Sequence, residues 1–75
     1  MSRFTITKVG RDENVYRVSY GIDHAVGAFM QVFAPVTEEP LYDKDNMFDK
    51  ITLVEMNTEV YKTFGIDMVN EIVRL

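Results

Sequence analysis

Residues 23–34, Asp23-His24-Ala25-Val26-Gly27-Ala28-Phe29-Met30-Gln31-Val32-Phe33-Ala34, decide the architecture of this chain. Two readings compete for them. As a helix, Asp23 is the cap and Val26, Phe29, Met30 and Phe33 form the apolar stripe. Gly27 costs such a helix about 1 kcal/mol, and Phe29, Val32 and Phe33 are mediocre helix formers. As a strand, Asp23 to Gly27 is a connection, Ala28 to Ala34 is extended, and Pro35 ends it. The strand is the favoured reading. It sends Ala28, Met30, Val32 and Ala34 to one face and Phe29 and Phe33 to the other.

The segments before it prepare for a sheet. Phe4 to Val9 alternates, with Phe4 and Ile6 on one face, and is rich in β-branched residues. Gly10-Arg11-Asp12-Glu13-Asn14 is a run of turn formers, and Val15 to Ile22 then places Tyr16, Val18, Tyr20 and Ile22 on one side. Residues 3–22 are thus a β-hairpin. Downstream, residues 35–48 hold both prolines and a cluster of acids, which predicts an extended surface loop.

A helix follows the loop. Thr52-Leu53-Val54-Glu55 has the spacing of a capping box, in which hydroxyl and carboxylate each accept from the other's backbone amide. Leu53, Met56, Val60 and Phe64 line one stripe, and Gly65 stands where a left-handed terminal residue belongs, with Ile66 folding back. Asp67 caps a short final helix whose packing face is Met68, Val69, Ile72 and Val73. The predicted fold is α+β: a three-stranded antiparallel β-meander followed by two C-terminal helices packed on one face.

With 75 residues and no cysteine, the chain predicts a single small domain, residues 1–75, held by packing or self-association. A net stability of about 4–11 kcal/mol is expected at this size. The N-terminus has no apolar signal core, and no apolar run reaches the length of a bilayer span. These features predict a cytoplasmic protein that does not meet the membrane.

Charge is unevenly placed. Up to Ile22, Arg3, Lys8, Arg11 and Arg17 outnumber Asp12 and Glu13; beyond it acids dominate, and the whole chain carries −4. The densest cluster is Glu38, Glu39, Asp43, Asp45 and Asp49, and Glu55 and Glu59 extend it along the helix. Two carboxylates about 6 Å apart in water repel by about 0.7 kcal/mol, so a solvated loop tolerates this without any function. The length of the loop, with Tyr42 and Phe48 inside it, weighs toward a contact surface, and the solvated loop and the contact surface both stand as readings of the sequence. The predicted partner-binding residues are Glu38, Glu39, Tyr42, Asp43, Asp45, Asp49, Glu55 and Glu59, with a basic protein or ribonucleoprotein as partner. Direct nucleic-acid binding is not expected, because aromatics that stack bases on a sheet need basic surroundings. Phe29 and Phe33 form a second candidate interface, a homodimer seam, if the sheet leaves their face open to water.

Other chemistries lack their residues. Asp43-Lys44-Asp45-Asn46-Met47-Phe48-Asp49 fails as a calcium loop: Phe48 stands where glycine is required and Val54 where a bidentate glutamate belongs. His24, the sole histidine, sits beside Asp23 in a connection with no nucleophile motif around it. No glycine-rich phosphate loop occurs, and one histidine without thiols makes no zinc quartet. The sequence therefore predicts no enzyme, no metal and no cofactor.

In length, acidity, absence of cysteine and absence of any catalytic motif, the whole chain resembles the small phage-encoded anti-CRISPR inhibitors. The resemblance is one of general character and rests on no motif. It implies an acidic inhibitor in the host cytoplasm, acting by nucleic-acid mimicry or steric block on a CRISPR effector subunit. The alternative is a small assembly or adaptor module that self-associates or joins a larger complex through an apolar sheet face.

Overall fold

Residues 27–33 are a strand, and the turn before them shows why. Asp23 Oδ1 accepts from Ala25 N at 2.7 Å and from Val26 N at 3.3 Å, so the aspartate closes a hairpin turn instead of capping a helix. Gly27 leaves that turn at φ +78°, a left-handed conformation that glycine adopts without the steric cost of a Cβ. The computed structural model describes residues 2–75. Its strands are β1 (Ser2–Val9), β2 (Val15–Asp23), β3 (Gly27–Phe33) and β4 (Pro40–Asp45), and its helices α1 (Asn46–Asp49), α2 (Leu53–Phe64) and α3 (Val69–Ile72).

The sheet is an antiparallel meander in the order β1-β2-β3-β4. The α+β class and the hairpin stand as the sequence predicts. The expected three strands and two helices are corrected to four strands and three helices. The extra strand lies in residues 40–45 and the extra helix in residues 46–49, where the sequence predicts a loop over 35–48. Pro40-Leu41-Tyr42-Asp43-Lys44-Asp45 has little strand propensity, yet it pairs with β3. Without it, the outer amides and carbonyls of β3 would lie unpaired beside a buried core. Pairing also carries Tyr42 into line with Ile6, Val18 and Val32, adding its ring to the covered face. The price of a proline and a poor strand sequence is a register shift between Val32 and Phe33.

One face of the sheet is covered by helices. Val18, Met30 and Val32 meet Met56, Val60, Ile66 and Met68, all at 0–1 % exposure, with Tyr16 and Tyr20 closing the cluster. Burying side chains of this size stabilises by about 1.5–3 kcal/mol each. The predicted stripe of α2 is observed: Met56 and Val60 are fully buried, and Leu53 and Phe64 pack at its ends. Both halves of the capping box form, Glu55 N to Thr52 Oγ1 at 3.2 Å and Thr52 N to Glu55 Oε1 at 3.0 Å. Gly65 is left-handed at φ +76° and Ile66 is buried.

The end of the chain differs from expectation. Asp67 Oδ1 accepts from Val69 N at 3.0 Å, but α3 is a single turn. Met68 and Ile72 pack inward, whereas Val69 and Val73, predicted to pack, are exposed. Among the described residues no helix is long and apolar enough to cross a membrane.

Candidate functional site

Strand β4 is an outer edge of the sheet, and acids stand on both sides of it. Register places Asp43 opposite Gln31 on the face away from the helices. On the other face the Tyr42 hydroxyl donates to Glu59 Oε1 at 2.5 Å, which fixes α2 against the edge and sets Glu59 beside it. Glu55 lies one turn earlier on α2. Glu38 and Glu39 are exposed in the connection that leads into the strand. Burial pushes the Tyr42 phenol well above its ordinary 10.0, and the Glu59 and Asp49 carboxylates push it further.

The predicted residues divide by what they touch. Asp45 Oδ1 accepts from Phe48 N at 2.7 Å and caps α1. Asp49 Oδ2 accepts from Asp45 N at 2.9 Å, while its other oxygen lies 3.7 Å from Lys44 Nζ. These two carboxylates serve the local fold. Tyr42 is turned beneath the sheet and does not project from a loop. Glu55 is engaged by the capping box and Glu59 by Tyr42, but both remain exposed. Among the described residues, Glu38, Glu39, Asp43, Glu55 and Glu59 have no lysine or arginine at ion-pair distance. Their charge is left to solvent or to a partner.

Apolar groups flank this charge. Phe48 on α1 is 77 % exposed and Met47 60 %, with Val54 at 68 % near the start of α2 and Leu41 at 55 % on β4. Phe48 stands in the sequence as an anchor. The exposure of Leu41 and Met47 goes with the shift at Val32/Phe33 and the short helix α1, whereas Val54 is exposed because it lies off the apolar stripe of α2.

The Phe29/Phe33 face does not present open rings. Gly21 lies between Arg3 and Phe29 in the sheet, and with no side chain there the two neighbours meet over it. The Arg3 guanidinium sits 4.5 Å from the Phe29 ring centroid and donates to Gln31 Oε1 at 3.3 Å. Phe29 is only 6 % exposed. Arg17 covers Phe33 in the same way, 5.1 Å from its centroid, and is tied to Thr37 O at 2.6 Å. The condition on which the second interface stood, a face open to water, is not met at Phe29, and Phe33 is half-buried: each ring has its own arginine.

His24 is exposed in the β2–β3 turn, and Asp23 beside it is spent on that turn. Among the described residues no group of three or more histidines and carboxylates stands close enough to hold a metal. A cleft of about 170 Å³ at Arg11, Asp12, Tyr16 and Phe64 is smaller than most ligand pockets, which run to about 300 Å³ and above. In it the Tyr16 hydroxyl donates to Asp12 Oδ2 at 2.7 Å, lowering the carboxyl below its ordinary 3.8 and raising the phenol above 10.0. Both shifts move away from neutral pH, the opposite of what a general acid or base needs. Arg11 meanwhile caps the end of α2, donating to Tyr61 O at 3.0 Å and Lys62 O at 3.2 Å. Comparison with protein-family models, with curated proteins and with solved structures finds no match to this chain.

Proposed function

We propose that this protein is a non-enzymatic binder whose acidic β4 edge occupies a basic surface of a partner protein or ribonucleoprotein complex. The observation that carries the reading is the set of carboxylates without internal cations around the β4 edge: Glu38 and Glu39 before it, Asp43 on one face, and Glu55 and Glu59 of α2 on the other. Surfaces that bind phosphate backbones are rich in lysine and arginine, and such a row of charge competes for them. Phe48, Met47 and Leu41 supply the apolar contact that holds the complex once charge has oriented it. An inhibitor of the anti-CRISPR kind, phage-encoded and working in the host cytoplasm, is the specific form of this proposal. Its partner would be the nucleic-acid-binding surface of a CRISPR effector complex.

The test is affinity capture of purified effector complexes on the immobilised protein at about 50 and about 500 mM salt, with and without Glu38→Lys, Glu39→Lys and Asp43→Lys together. Binding should fall steeply with salt and vanish in the triple variant, with competition by the effector's own nucleic acid. Capture that is indifferent to both salt and charge reversal removes the proposal.

A further inference from the structure

The two edges of the sheet are not alike. Strand β4 is guarded, by Pro40, by the register shift beside it and by Asp43, Lys44 and Asp45. Strand β1, Ser2–Val9, has neither proline nor glycine and pairs with β2 along its whole length without a shift. It carries two cations, the usual protection of such an edge, but both are drawn away. Arg3 leans across Gly21 onto Phe29 and Gln31. Lys8 is held by Glu71 of α3 at 3.1 Å, in a pair whose side chains are 30 % and 20 % exposed. What remains along the strand is Phe4, 47 % exposed, with Thr5, Thr7 and Val9.

The direction of the free backbone groups follows from the hairpin. Gly10 N donates to Asn14 O at 2.8 Å, and Ile22 N points at Ser2, bonding its Oγ at 3.3 Å. Hydrogen-bonded pairs alternate along an antiparallel ladder, so even-numbered residues of β1 bond inward. The amides and carbonyls of Arg3, Thr5, Thr7 and Val9 therefore face outward.

We propose that a second copy of this chain pairs with β1, antiparallel and two-fold, with Thr5 opposite Thr5 of the other copy. This goes beyond the reading of the acidic edge and does not depend on it. The register is self-complementary. Arg3 meets Thr7 and Ser2 meets Lys8, so no like charges oppose, and Phe4 meets Ile6 as an aromatic–β-branched pair on the helix side. A register centred on Ile6 would instead set Phe4 against Lys8. In the Thr5 register about six backbone hydrogen bonds form between outward-facing groups. The two α3 helices, each tied to its own Lys8, stand at opposite ends of the seam. The product is one continuous sheet with a β4 edge at either end, and the symmetry closes it at two copies. A seam of one strand pair is small, at the low end of stable interfaces, so dissociation is expected at about 1–100 μM.

The chain contains no cysteine, which makes crosslinking unambiguous. Under mild oxidation Thr5→Cys should give a disulfide-linked dimer, because directly opposed Cα atoms about 5.5 Å apart lie within disulfide reach. Asp43→Cys on β4, the control, keeps the β1 seam but should form no disulfide crosslink, because the two β4 edges lie outermost. In sedimentation the wild type should pass from monomer to dimer with concentration, and Thr5→Pro should weaken association at least about a hundredfold. The Thr5 amide points outward, so its loss leaves the β1–β2 ladder whole, and circular dichroism checks that the fold is kept. Should Thr5→Pro fail to fold, Thr7→Arg sets like charges opposite each other twice across the seam and should weaken association about tenfold. A wild type monomeric at about 1 mM, growth beyond two copies, equal crosslinking of Asp43→Cys, or a dimer indifferent to the folded variants would each overturn the inference.

Discussion

Replacing Gly21 by alanine tests the central geometry of the sheet. A Cβ built there lies 2.2 Å from Ser2 O and 2.8 Å from Ser2 C, both backbone atoms with no rotamer to yield. Ordinary contacts need more than 3 Å, so β1 must retreat from β2 by about 1 Å at that end. The cheaper response is for Ser2 to Phe4 to peel away. Peeling removes about two ladder hydrogen bonds at 0.5–1.5 kcal/mol each. It also removes the Arg3 cover of Phe29, about 0.5–1 kcal/mol, and the Phe4–Tyr20 ring contact, a similar amount. The total is about 3 kcal/mol, a large part of the stability expected of a chain this size. In a domain of this length that is a fall in Tm of about 12–24 °C. Thermal unfolding followed by circular dichroism measures it, and hydrogen exchange should show Phe4 and Tyr20 losing protection before Val32. An alanine variant within about 1 kcal/mol of the wild type would refute the close approach on which the Arg3–Phe29 arrangement rests.

Two further outcomes are expected. Thr52→Ala removes the capping box of α2 and should cost about 1 kcal/mol, a fall of about 4–8 °C in Tm, while Thr52→Ser restores most of it. Tyr42→Phe removes the bond to Glu59 and should cost about 1 kcal/mol at neutral pH. Because the folded state holds the phenolic proton to higher pH than the unfolded chain does, its contribution is complete below about pH 10 and declines as pH rises beyond. Urea unfolding at pH 9 and 11 should show a larger loss for the wild type than for Tyr42→Phe.

The two surfaces proposed here lie on opposite edges of one sheet and would act together. Pairing through β1 leaves both acidic β4 edges outermost, so a dimer presents two equivalent binding edges. On a partner with repeated basic subunits, bivalent engagement strengthens binding without new contacts at either edge. Charge reversal at Glu38, Glu39 and Asp43 should leave dimerisation intact, and Thr5→Pro should leave single-site binding intact.

Local rules were enough for those parts of the chain whose partners are close in sequence. Alternation and the turn at Gly10 to Asn14 determine the first hairpin, Thr52 and Glu55 start α2, and Gly65 ends it, since each bond joins near neighbours. The conformation of 40–45 has no such local cause. It is a strand because β3 offers unpaired backbone and the core has room for Tyr42, conditions that exist only once the rest has folded. Long-range register likewise decided which charges are free. It set Arg3 and Arg17 over Phe29 and Phe33, with Lys8 on Glu71, and left Glu38, Glu39 and Asp43 facing water. Composition determined that this molecule is acidic; only the lateral pairing of distant strands decided where that charge is exposed, because a side chain's neighbours across a sheet are far from it along the chain.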